Sequence, residues 1–79
     1  MKIEVKLFAQ FRDFLPKGSD RFSCTLTLDS SKSVGDILRR LKLPDDSPKI
    51  ILLNGRHAKE NDSIKDGDVL SVFPPVAGG

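Results

Sequence analysis

Apolar and polar residues alternate from the second position of the chain. Lys2, Glu4 and Lys6 fall on one side of an extended backbone and Ile3, Val5 and Leu7 on the other, the period of a half-buried strand. The spacing then changes. Phe8, Phe11, Phe14 and Leu15 recur at helical intervals and Pro16 and Gly18 end the segment, which predicts a short helix over 8–15. Alternation returns with Phe22, Cys24, Leu26 and Leu28 against Ser23, Thr25 and Thr27, a second strand whose apolar face carries Cys24 as a buried core thiol.

Ser33-Val34-Gly35-Asp36 has the form of a helix N-terminus, with a hydroxyl to accept from the orphan amides and a carboxylate three residues on. Val34, Ile37, Leu38 and Leu41 follow on one face, so this helix packs on a sheet, while Asp36, Arg39 and Arg40 face water. Asp45 and Asp46, bracketed by Pro44 and Pro48, read as a polar turn. Ile50–Leu53 is a strand, Asn54-Gly55 the turn of a hairpin, and Arg56 to Lys59 the short return strand with His57 exposed on it. Ile64 opens a loop that closes in Asp66-Gly67-Asp68. The last strand is Val69–Phe73, with Leu70 and Val72 inward and Val69, Ser71 and Phe73 outward. Strands with one packed helix predict an α+β domain, the helix laid across a mixed sheet.

Length and charge narrow the function. Seventy-nine residues make one small domain, a folded unit over 1–73 followed by a tail over 74–79. Thirteen Lys+Arg against eleven Asp+Glu leave +2 with the signs interspersed, whereas a nucleic-acid binder gathers its cations into a patch. One cysteine excludes an internal disulfide, and one histidine with one cysteine cannot supply a tetrahedral zinc site. No glycine-rich phosphate loop is present, and no nucleophile stands ready for His57 to activate. The longest apolar run, Ile50–Leu53, is far short of the roughly 20 residues of a membrane span. Lys2, Glu4 and Lys6 also interrupt any secretory signal, so the expectation is a cytoplasmic protein with no catalytic machinery of its own.

The tail is where chemistry can reside. Phe73 is followed by Pro74-Pro75-Val76-Ala77-Gly78-Gly79. Two prolines stiffen the exit from the last strand, and the six tail residues reach about 20 Å when extended. A terminal carboxylate must be activated before it reacts, and it has to be threaded into a partner to be activated. Glycines without a Cβ pass a narrow channel.

Asp66-Gly67-Asp68 through Phe73-Pro74-Pro75 to Gly78-Gly79 resembles the end of the small subunit of molybdopterin synthase. Phe8-Ala9-Gln10-Phe11-Arg12, Ser33 to Leu38 and Asn54-Gly55-Arg56 resemble the wider MoaD/ThiS family of sulfur carriers, which includes the thiamine-pathway carrier. The resemblance implies a ubiquitin-like β-grasp fold over 1–73. It also implies that a ubiquitin-activating-like enzyme, using ATP, adenylates the Gly79 carboxylate, and that sulfur from a persulfide donor or sulfurtransferase replaces AMP to leave a thiocarboxylate. Gly79 would carry the sulfur and Gly78 give clearance. Ala77, Val76, Pro75 and Pro74 would dock the tail, and Phe73 would touch the partner. The receiving partner would be the molybdopterin synthase large subunit or a thiazole synthase, with no nucleic acid, membrane, metal or bound cofactor involved. Leu52 to Ala58 reads more like the generic or thiamine-type carriers, while Phe73-Pro74-Pro75 favours molybdopterin; carriers for cysteine synthesis or a tungsten cofactor stay open. The remaining alternatives are a ubiquitin-like modifier joined to lysines through Gly79, a β-grasp interaction or RNA-binding module with an inert tail, and, weakest, a free-standing enzyme.

Overall fold

The alternation at the N-terminus builds the centre of the molecule. In a computed structural model that describes residues 1–30 and 32–75, β1 (Lys2–Leu7) buries Ile3, Val5 and Leu7 and turns Lys2, Glu4 and Lys6 outward. It pairs antiparallel with β2 (Ser23–Thr27) on one side and parallel with β7 (Val69–Phe73) on the other. β4 (Ile50–Leu53) lies antiparallel to β7, and β5 (Arg56–His57) closes the far edge, giving the order β2-β1-β7-β4-β5. Register places Val5 beside Leu70 and Leu7 beside Val72, with Ile51 on the other side of Val72, so one face of the sheet is continuously apolar.

The helix α1 (Val34–Arg40) covers that face with Val34, Ile37 and Leu38, and Leu41 at its C-cap is buried with them. Both of its ends are chemically closed. At the N-terminus the Asp36 amide donates to the Ser33 hydroxyl at 3.2 Å and the Ser33 amide donates to the Asp36 carboxylate at 3.0 Å, a complete capping box. At the C-terminus Lys42 takes a positive φ of 65°, its amide donates to Arg39 and the Leu43 amide donates to Leu38. That is a Schellman closure made without glycine, held by burial of Leu43 against the core. Gly35 meets the loop ahead of β6 (Ser63–Ile64) at close range. Its amide donates to the Glu60 carbonyl at 2.7 Å, and a Cβ here would sit 3.2 Å from that same oxygen. A side chain would push the loop away.

The Ser33 amide, the Arg39 guanidinium 2.7 Å away and the Ser33 hydroxyl together hold the Asp36 carboxyl down at about 2. A carboxyl with a lower pKa folded than unfolded stabilises fully above about pH 4, and the contribution is lost as pH falls through the folded value. Asp36→Asn should therefore flatten the dependence of melting temperature on pH between about pH 4 and pH 2. Thermal melts of both proteins across that window check this; parallel curves would show that the box contributes nothing in solution.

Four expectations need correction. The segment after β1 is a 3-10 helix, Ala9–Phe14, entered through Ala9 at φ 54°, and of its aromatic residues only Phe11 is buried. Phe22 is not on the inner face of β2, because a bend precedes that strand and rotates the ring outward. The return strand stops at His57, although the Ala58 amide still donates to Ile51. Ile64 does not open a loop: β3 (Lys32–Ser33) and β6 form a small antiparallel sheet that anchors Ile64 in the core. The Asn54-Gly55 turn holds, with φ of 52° and 83°, as a type I′ turn requires. The Asn54 side chain adds a link, accepting from the Val69 amide and donating to Asp68. The whole is a β-grasp: a mixed sheet with one helix across it.

Candidate functional site

The site grows from the end of β7. Because Leu70 and Val72 are fully buried, Val69, Ser71 and Phe73 are turned to the outer face, as their alternation predicts. Phe73 is half-buried there and pairs with Ile50 at the start of β4. The Phe8 amide donates to the Val72 carbonyl at 3.1 Å, which carries β1's outward parity one residue beyond Leu7 and sets Phe8 next to Phe73. The two rings stack at 4.5 Å between centroids with 5° between their planes, and Phe22 stacks on Phe8 at 5.4 Å and 26°. Three phenyl rings thus form a row across one end of the outer sheet face. Lys6 stands in the next row, between Ser23 and Ser71. Pro74, half-buried, and Pro75, exposed, lead the chain away from this row.

Of the residues singled out from the sequence, the structure brings Phe73, Pro74 and Pro75 together at the row; Val76, Ala77, Gly78 and Gly79 lie outside the described residues. The sequence reading misses Phe8, which it groups with Phe11, Phe14 and Leu15 at helical spacing, and Phe22, which it sets on the apolar face of the second strand. Continuing the Lys2, Glu4, Lys6 parity by one step would have found Phe8. Nothing local marks Phe22, whose direction depends on the bend.

Other chemistry-bearing residues stay apart from the row. Cys24 is half-buried rather than fully in the core, packed against it beneath a surface depression lined by Lys17 to Asp20. Burial pushes its thiol pKa up, against smaller downward pulls from Ser19 and Arg40, so it is held as the poorly nucleophilic thiol at neutral pH. His57 is exposed on the edge strand β5, and Asp45 and Asp46 are exposed in their turn. Among the described residues no group of three or more His, Cys, Asp or Glu is placed to share a metal ion, and no helix is long and apolar enough to cross a membrane.

Comparison with known proteins decides the family. The ThiS family profile matches residues 5–79, nearly the whole chain. The chain belongs to the ThiS family. Small archaeal modifier protein 3 of Haloferax volcanii is 34% identical to this ThiS-family chain over 96 aligned positions, covering 100% of both. Among solved structures, small archaeal modifier protein 1 of the same organism superposes with a TM-score of 0.74 at 30% identity, covering 100% of each chain. A Pyrococcus furiosus protein, provisionally named molybdopterin converting factor subunit 1, gives 0.72 at 31% identity over 95% of this chain and 98% of its own. This ThiS-family member is a small ubiquitin-like protein of the carrier and modifier type, and its β-grasp is shared by those structures.

Proposed function

We propose that this chain is a sulfur carrier whose Gly79 carboxylate is adenylated and converted to a thiocarboxylate, and that the sulfur is used in molybdopterin biosynthesis. One observation carries the reading: a strand in the middle of the sheet ends in Phe73, within a row of outward rings, and passes through Pro74-Pro75 into a Gly78-Gly79 end. The row gives a partner an apolar surface to seat on. The prolines aim the tail, and the glycines let it enter a channel closed to residues with a Cβ. Activation belongs to a ubiquitin-activating-like partner in the cytoplasm: the carboxylate oxygen attacks the α-phosphorus of ATP and pyrophosphate leaves, and the terminal sulfur of a persulfide then displaces AMP to give an acyl disulfide. A thiol of the donor or of the activating enzyme attacks the donor's sulfur in that bond, so that a disulfide forms and the sulfur stays on Gly79 as the thiocarboxylate. The carrier binds no cofactor of its own. Its receiver is the large subunit of the synthase, and the name of the Pyrococcus furiosus relative, a converting-factor subunit, favours this over a thiazole synthase.

A second reading has its own support. The Haloferax relatives are named modifier proteins, and the same adenylate can pass to a lysine as an isopeptide bond. Intact mass spectrometry separates the two. After incubation with the activating enzyme, ATP and a persulfide donor, the carrier should gain the mass of one oxygen exchanged for sulfur, localised to Gly79. Gly79 found instead on lysines of cellular proteins, with no sulfur gained, would establish the modifier. A chain left unchanged by an enzyme competent on another carrier would refute both.

A further inference from the structure

The aromatic row does not stop where the tail needs it to. Phe22, at its far end, is 40% exposed, the large hydrophobic side chain left in water among the described residues. Its setting is cationic. Arg12 Nε donates to the Arg21 carbonyl at 3.1 Å, which holds the Arg12 side chain against the backbone that bears Phe22. Arg21 is exposed beside it, and Lys6 faces Ser23, the residue after Phe22. Among the described residues no salt bridge joins Arg12, Arg21 or Lys6 to the nearby Asp13, Asp20 or Glu4; the one ion pair is Arg39–Asp36 on the helix. Phe8 has a ring on each side, so Phe22 and Phe73 stand as the two ends of the row.

We infer that Phe22, framed by Arg12, Arg21 and Lys6, is a second anchor for the protein partner that activates the tail, and that the matching partner surface is an apolar pocket rimmed by carboxylates. The inference rests on the sulfur-carrier reading and extends it. A partner that takes the tail at Pro74 and Pro75 must lie over Phe73, and the row continues without a break from Phe73 through Phe8 to Phe22. A basic rim calls for acidic complement, which speeds encounter and fixes orientation.

The test uses the full chain and the adenylating enzyme encoded in the same genome, with ATP–pyrophosphate exchange followed against carrier concentration at low and high salt. Phe22→Ala should raise the KM for the carrier about ten-fold, the effect confined to KM because the tail itself is untouched. The double variant Arg12→Glu/Arg21→Glu should raise it at least as far and lose the increase in KM that salt produces with the unmodified chain. Arg56→Glu/Lys59→Glu, on and just after the opposite edge strand, changes the net charge by the same amount and serves as the control. KM values for the Phe22 and arginine variants within two-fold of the unmodified chain would overturn the inference and leave the carrier reading standing. An equal rise with Arg56→Glu/Lys59→Glu would overturn the local rim. No exchange with the unmodified chain, by an enzyme active on another carrier, would overturn the carrier reading itself.

Discussion

A chain lengthened by one residue beyond Gly79 is expected to fold and to bind its activating partner, yet to acquire no sulfur. The proposed reactive group is a backbone carboxylate, and a further residue moves it by about 3.5 Å along an extended tail. Misplacement of a reacting atom by even about 1 Å can cost on the order of a hundred-fold in rate. Stability should not follow, because the described core closes with Leu70 and Val72 of β7, well before the added residue. The measurement pairs a thermal melt with intact mass after incubation with activating enzyme, ATP and persulfide donor. Superimposable melts with no exchange of oxygen for sulfur are the expected result. An extended chain that gains sulfur while the added residue is still present in the mass would sink the proposal that Gly79 is the carrier.

Much of the fold could be read from the sequence because its signals were local. Period-two alternation placed β1 and β7 with the correct faces, the four apolar positions from Val34 to Leu41 placed the helix against the sheet, and Asn54-Gly55 placed the hairpin turn. What could not be read depended on tertiary contacts. The two-residue strands β3 and β6 are too short to show a period, and they exist because Ile64 finds room in the core. The helix ends in a left-handed Lys42, a position that sequence rules reserve for glycine, and burial of Leu43 holds it there. Phe8 to Leu15 has helical spacing, yet Ala9 at positive φ sets Phe8 outside that pattern and leaves a 3-10 turn around Phe11.

The same division holds at the site. Phe73 was legible as an outward aromatic because its strand alternates cleanly, and Pro74-Pro75 needed only the order of residues. The other two rings lie just past the end of β1 and just before the start of β2, and they become a row with Phe73 only through the register of the sheet. A single outward phenyl reads as an ordinary exposed residue. Three in contact form a surface that a partner can cover.

Phe73→Ala is accordingly expected to weaken partner binding more than the fold. Phe73 is half-buried, so its truncation forfeits less than the roughly 3–5 kcal/mol typical of a fully buried Phe. Its fixed contacts are the stack on Phe8 and the neighbouring Ile50, and the core beneath, Leu70 and Val72 included, keeps its packing. Folding should lose about 1–2 kcal/mol by this reasoning. Binding is different, because Phe73 stands where the tail departs and aromatic anchors of that kind dominate interfaces. A loss of about 2 kcal/mol, or roughly 30-fold in affinity, is the expected effect. Chemical denaturation gives the first quantity, and titration of the activating enzyme with the carrier gives the second. A large loss of stability with unchanged affinity would make Phe73 a structural residue and move the docking surface elsewhere. A 30-fold loss of affinity in a chain that still melts cooperatively would place the partner directly over the row.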